Sequence, residues 1–413
     1  MGLSHRKSIL SEAFLLVFLV LGARAPIHGK PQGQALEAAS NRDNYMGDSA
    51  CRSCHADKIT SFSNTAHHLT SQSPSNESIL GSFDEGKNIL KTSNPNLYFR
   101  MDSKPDGFYQ TSVLTSSPSA TSHAERIEVV IGSGRRGQTY LYWKRDQLFQ
   151  LPVSYWTDLA TWINSPGYRD GEANFDKRVI PDCLGCHMAY GDAVGSPISS
   201  NQYKPESLVL GISCERCHGP GRQHMEARRA EAHRGETATA RKPGEFIINP
   251  AKLTRDRQID LCSQCHGGLR TPLRNPFSYV PGEVLDKYFR PDTSGPVPDT
   301  DVHGNQVALL QLSRCYQFSA TMTCSTCHDV HQSQRNPAMI SERCLTCHRA
   351  QACGEFRRLK EKIVGACADC HMKVQASNVI VSSLQGKQAR ELVRNHWIKV
   401  YADTRGTILP APN

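Results

Sequence analysis

The stretch "CSTCHDVH", Cys324–His331, sets two histidines three residues apart behind a pair of cysteines. Taken alone, Cys-x-x-Cys-His fits a zinc site, a redox thiol pair or a haem anchor. The rest of the chain chooses between them. The same pentapeptide recurs at Cys51/Cys54/His55, Cys183/Cys186/His187, Cys214/Cys217/His218, Cys262/Cys265/His266, Cys344/Cys347/His348 and Cys367/Cys370/His371. Zinc ribbons use Cys-x-x-Cys pairs but have no need of a histidine after every second cysteine, and thiol exchange fails on the same point. Two thiols at this spacing reach the two vinyl groups of one haem, and the adjacent histidine then lies under the iron. The expected cofactor is therefore seven covalent haem c. His55, His187, His218, His266, His328, His348 and His371 are the expected proximal ligands, and Cys324 and Cys327 anchor the haem of the opening stretch.

Sixteen cysteines imply either metal chemistry in a reducing compartment or covalent cofactors in an oxidising one. The N-terminus favours the second. Arg6 and Lys7, the apolar run "AFLLVFLVLGA" and the small residues before Ala25 have the layout of a secretory signal over residues 1–25. Pro26 is unfavourable just after such a cut, so an uncleaved anchor is the other reading. No later segment reads as a transmembrane helix, and a periplasmic location follows. The two cysteines outside the motifs, Cys315 and Cys353, are then expected to form a disulfide or to remain as two buried thiols. A formal charge of +9 suggests nucleic acid, but export argues against that partner. Fourteen haem propionates offer the surplus Arg and Lys a nearer use.

The seven proximal histidines leave His67, His68, His123, His224, His233, His303, His331 and His396 once His5 and His28 are set aside. A haem with two histidines is closed and suits electron transfer, whereas one with an open position can bind a small molecule. His331 cannot easily curl back to the iron above His328 and is expected to ligate a neighbouring haem. His224, His396, His303 and His123 are further candidates, as is one of His67 and His68, with His67 preferred. His233 lies in an Ala/Glu/Arg-rich segment that reads as a solvated helix. Six donors for seven irons leave the last to His68, to His233 or to no histidine at all.

The motifs are unevenly spaced. The organisation expected is a linker at 26–45, a first haem segment at 46–75, a β-rich insert at 76–180 and a six-haem core at 181–413. The insert carries "NLYFRMDSKPDGFYQTSVL", which reads strand, Pro-Asp-Gly turn, strand. Within it Gly132, Gly134 and Gly137 spell G-x-G-x-x-G, but "QTYLYW" follows as a strand where a dinucleotide site needs a helix. A hairpin turn is the expectation there. The fold class expected is a mainly α or irregular core built around packed haems, with a small antiparallel β insert.

With these motifs read, the chain resembles multihaem cytochromes c of the group that includes hydroxylamine oxidoreductase and its tetrahaem electron acceptor. "CRSCHADKITSFSNTAHH", "GISCERCHGPGRQH", "MTCSTCHDVH" and "GACADCHMK" with a later "NHWI" carry the resemblance. It implies stacked haem pairs with distal histidines crossing between motifs, which supports His67, His224, His331 and His396. Seven sites rather than four or eight is a departure. No lysine-ligated catalytic haem and no tyrosine crosslink is identifiable. An exported electron carrier between redox partner proteins is the leading expectation. The alternative is an enzyme in which one five-coordinate haem acts on a small nitrogen or sulfur compound.

Overall fold

The computed structural model describes residues 42–116, 119–234, 246–268, 270–291 and 300–401. The expected signal segment, most of the linker, His5 and His28 lie outside them. Numbered along the chain, the strands begin with β1 (Ser71–Gln72), β2 (Ile89–Lys91), β3 (Leu97–Lys104), β4 (Gly107–Leu114), β5 (Thr121–Arg126) and β6 (Val129–Ile131). There follow β7 (Gly137–Lys144), β8 (Gln147–Gln150), β9 (Val153–Trp156), β10 (Thr161–Asn164) and β11 (Lys177–Arg178). Strands β2–β5 form one antiparallel sheet in sequence order, and β1, β6–β11 form a second, seven-stranded one.

Period-2 alternation explains how both faces of the larger sheet are used. Val130, Tyr140, Tyr142 and Phe149 pack with Leu90, Phe99 and Met101 of the smaller sheet, around Trp162. The intervening Val129, Ile131, Leu141 and Leu148 join Leu184, Met188, Tyr190 and Tyr203 in a separate cluster. Leu184 and Met188 bracket Cys186 and His187, so the inner face of this sheet seats the second motif directly.

The two expected turns carry these strands. Register pairs Lys104 with Gly107 across Pro105 and Asp106. The glycine-rich segment joins β6 to antiparallel β7, with Gly132 and Gly134 at φ 103° and 76°. A side chain at Gly137 would meet the Tyr155 carbonyl oxygen at 2.7 Å, so close strand packing requires a glycine there.

The expectation of a mainly helical core is corrected. Helix accounts for 31 % and strand for 26 % of the structure, and strands continue through the motif-rich half. They are β12 (Met188–Tyr190), β13 (Val209–Leu210), β14 (Arg270–Pro272), β15 (Phe289–Pro291), β16 (Val374–Leu384) and β17 (Lys387–Arg394). The first four are too short to show a period. The long β16–β17 hairpin closes through Gln385 and Gly386, both at positive φ (49° and 76°), the backbone a two-residue hairpin turn of the primed type demands. Among the described residues no helix is long and apolar enough to cross a membrane.

Candidate haem sites

Each motif has at least its first cysteine on a helical turn. Cys214–His218 and Cys367–His371 are five-residue helices, and Cys262 to His266 close the helix Arg255–His266. Residues three apart share a helix face, so the two thiols of a motif lie side by side. In the helix Asp48–Phe62 the backbone breaks at His55 (φ −126°, ψ 40°), just after the second thiol.

The tertiary structure brings proximal histidine rings close to histidine rings from distant segments, with interplanar angles of 77°, 29° and 32° for the three pairs that follow. Ring centroids stand 6.1 Å apart for His67 and His266, 6.2 Å for His218 and His331, and 6.3 Å for His328 and His396. A metal–imidazole bond of about 2 Å on each side, with the nitrogen about 1 Å from its ring centre, puts two axial rings about 6 Å apart. The three spacings match. A fourth neighbour pair is His187 and His303, whose rings are close enough to interact electrostatically.

Among the described residues, six of these rings make their hydrogen bond through Nδ1. Nδ1–H of His218 donates to the Ile248 carbonyl (2.8 Å), that of His371 to Lys399 (3.1 Å) and that of His396 to Arg394 (3.1 Å). His266 Nδ1 meets Gln306 Oε1 at 3.2 Å, His303 Nδ1 meets Glu391 Oε2 at 2.7 Å, and His187 Nδ1 lies 2.9 Å from Thr70 Oγ1. Fixing Nδ1 in this way orients the ring and reserves Nε2 for a metal. Sequence reading missed Thr70, Gln306 and Glu391, which lie far along the chain from the rings they hold. Hydrogen bonding to Glu391 raises the His303 pKa although burial opposes it.

Both His67 and His266 rings are accessible, yet burial pushes His67 down to about 4, helped by neighbouring His266 and His328. Burial likewise lowers His266 and takes His187 and His396 to about 4. A ring that is accessible and desolvated at once lines a narrow cleft walled by protein. Buried Nε atoms of Arg216 and Arg270 have no acceptor among the described residues, and a propionate carboxylate would supply one. No cluster of three or more His, Cys, Asp or Glu side chains among the described residues would enclose a bare ion. Opposed pairs of histidines above paired thiols therefore fit haem.

The remaining candidates are placed differently. His68 directs Nδ1 to Asp48 Oδ2 at 3.2 Å. His224 lies on the helix Arg222–Arg234 and is close enough to His218 to lower its pKa, as is His55. His123, on β5, has its Nε2 3.0 Å from Glu125 and packs its ring on Phe175 at 4.7 Å. His233 is exposed near the end of its helix, and His348 is exposed in its motif. The expected Cys315–Cys353 disulfide is corrected: both are free thiols. Each neighbours a different motif, Cys315 beside Cys327 and Cys353 beside Cys370.

The first and third motifs are joined by partly buried polar contacts. The Glu215 carboxylate, inside the third motif, accepts from the amides of Met46 (2.8 Å), Gly47 (2.9 Å) and Gly221 (2.8 Å). Asp48 accepts from the Cys214 amide at 2.9 Å. Burial raises the Asp48 pKa, but hydrogen bonds from His68 and Cys214 outweigh it and hold the carboxyl below its ordinary value.

Residues 159–219 match the family model "Cytochrome c554 and c-prime", a stretch that includes the second and third motifs. Cytochrome c-554 of Nitrosomonas europaea is 33 % identical over 113 residues, 26 % of this chain and 45 % of that protein. The multiheme cytochrome MtrA of Shewanella baltica is 25 % identical over 199 residues, 43 % of this chain and 55 % of that protein. The chain thus spans about half the length of the curated relatives it matches. The crystal structure of the outer cell wall cytochrome OcwA superposes with a TM-score of 0.51 at 17 % identity, covering 86 % of this chain and 80 % of that one; it shares the fold. Repeated haem-attachment motifs, closely set histidine rings and these similarities to multihaem cytochromes all point to haem c chemistry in this chain.

Proposed function

We propose that the protein is an exported heptahaem cytochrome that passes electrons between redox partner proteins. The observation that carries this reading is the set of opposed histidine rings at 6.1, 6.2 and 6.3 Å, the spacing of closed axial pairs. Cys51, Cys54, Cys183, Cys186, Cys214, Cys217, Cys262, Cys265, Cys324, Cys327, Cys344, Cys347, Cys367 and Cys370 hold seven haems. Bound haem c supplies a one-electron ferric/ferrous couple.

The chain's own part is ligation, spacing and tuning. His67 pairs with His266, His331 with His218 and His396 with His328, while His303 lies in the neighbourhood of His187. The Nδ1 partners fix each ring plane and set how strongly it donates. Arg216 and Arg270 offer buried N–H groups to propionates. Resemblance to cytochrome c-554 and MtrA supports transfer to protein partners.

The test is the purified exported protein. Intact mass is expected to show seven haem increments on a chain lacking its first residues. The ferric spectrum is expected to be dominated by low-spin iron and to be unchanged by cyanide or nitrite. A high-spin component of about one seventh that shifts with those ligands would instead support an oxidoreductase with one open haem.

A further inference from the structure

The last two motifs pack together. The Ala368 amide, in the helix Cys367–His371, donates to Ser341 Oγ on the helix Pro337–Cys344 at 3.3 Å, and Ser341 is fully buried. The connector between the motifs holds the short turns Ala350–Ala352, Phe356–Leu359 and Lys360–Ile363. Leu359 and Ile363 are buried and fix these turns, whereas Arg349, Arg357, Arg358, Lys360 and Lys362 are exposed.

Positive charge is concentrated here. Residues 342–400 hold eleven Arg and Lys against five Asp and Glu, a surplus of six in a chain whose whole surplus is nine. Residues 42–62, around the first motif, balance three against three. Arg358 pairs with Glu355 at 2.8 Å and Arg394 with Asp369. Among the described residues no carboxylate pairs with Arg349, Arg357, Lys360 or Lys362. Like charges held side by side repel one another, and an anionic surface laid against them removes that cost.

The sixth motif lies at the surface with these cations. Its Cys347 and His348 are both exposed, as are Cys54 and His55 of the first motif. At the seventh motif, exposed Val400 follows Lys399, whose carbonyl accepts from His371 Nδ1–H. An apolar contact point with a charged rim is the make-up of a protein interface, and complementary charge sets how fast such a partner arrives.

We infer that the basic connector Arg349–Lys362 is the docking surface for an acidic redox protein that exchanges electrons with the haems on His348 and His371. In the reducing direction the partner's cofactor loses one electron and one ferric haem becomes ferrous, with no bond made or broken. The inference rests on the electron-carrier reading above and adds where the partner sits and which sign of charge it carries.

Stopped-flow reduction of the haem-loaded full chain by fully reduced flavodoxin, a strongly acidic one-electron donor, tests it. The second-order rate constant is expected to fall about tenfold between about 10 and about 150 mM salt, as the Debye length shrinks from about 30 to about 8 Å. A rate that is flat or rises with salt overturns the proposal. Arg349→Glu/Arg357→Glu/Lys362→Glu is expected to lose about tenfold at the lower salt, and each single change to Gln about twofold. Lys58→Glu/Lys91→Glu/Lys144→Glu changes the net charge equally elsewhere and is expected to lose less than about threefold. Equal losses from the two triple variants would show that overall charge, not this surface, guides the donor, and would overturn the proposal.

Phosphatidylglycerol vesicles supply the other arm. Binding of the wild type but not of the Arg349/Arg357/Lys362 variant, with equal flavodoxin rates for the two, would assign the surface to anionic lipid and overturn the protein partner. The carrier reading fails separately, on a high-spin, ligand-sensitive ferric spectrum recorded with no partner present.

Discussion

His67 and His266 face each other at 6.1 Å between ring centroids, while His68, the next residue along, turns its Nδ1 to Asp48. Adjacent side chains of one loop thus serve different partners. His67→Ala is expected to convert one haem, that on His266, from low to high spin. His68→Ala is expected to leave that haem unchanged. Electron paramagnetic resonance of the ferric protein reads both, and a low-spin His266 haem in the His67 variant would break the pairing.

His331 lies over His218 rather than over its neighbour in sequence, His328. In His331→Ala the haem on His218 should become high-spin while the haem on His328 stays low-spin, because His396 faces that one. Addition of imidazole should restore the low-spin signal. Loss of the His328 signal instead would reverse the assignment.

His123 makes a negative control. Its Nε2 is engaged by Glu125 on the same strand, leaving the ligating atom occupied. His123→Ala should retain every low-spin feature in the optical and resonance spectra and cost about 0.5 kcal/mol or less in stability, as an exposed pair does. A new high-spin haem would return His123 to the ligands.

Glu391 holds His303 through its Nδ1 at 2.7 Å. A carboxylate accepting from Nδ1–H makes the imidazole a stronger donor, which favours ferric iron. Glu391→Gln weakens that bond and is expected to raise one reduction potential. A tenfold change in relative preference corresponds to about 59 mV for one electron, and a rise of that order is expected in a potentiometric titration. A fall in potential would contradict the assignment.

Asp170 fastens the β-rich region to the C-terminal hairpin. Its carboxylate accepts from the Ser93 amide (3.2 Å), Asn164 Nδ2 (3.0 Å) and the Gly386 amide (2.6 Å). Burial alone would raise its pKa, but these bonds outweigh it and lower the value from 3.8. A depressed folded pKa gives stability that is complete above about 3.9, the unfolded value, and lost as pH falls through the folded value. Asp170→Asn should destabilise the protein by about 1–3 kcal/mol at neutral pH and flatten the acid limb of its thermal-melting profile. An unchanged acid limb would remove Asp170 from that role.

The haem chemistry was legible in the sequence because attachment is local. Two thiols and a histidine within five residues need no tertiary structure to be recognised, and seven repeats exclude zinc and thiol exchange. Turns were legible for the same reason: Pro105-Asp106-Gly107 and the Gly132–Gly137 segment carry their backbone preference in their own residues. The later strands were not. Strands of two or three residues such as β12–β15 show no period, and β16–β17 was concealed among motifs that suggested helix. The Cys315–Cys353 pairing failed because composition says nothing about distance, and each thiol folds against a different motif.

What the sequence by itself points to is haem c as the cofactor, a set of candidate anchors and the pool of histidines from which axial partners could be drawn, since these depend on residue type and near spacing. Only the tertiary structure decided which histidine faces which, why His67 and not His68 reaches His266, and which motifs touch. Those relationships join segments remote in the chain, and they are set by how a two-faced sheet, carboxylates such as buried Glu215 and half-buried Asp48, and short helical turns pack around one another.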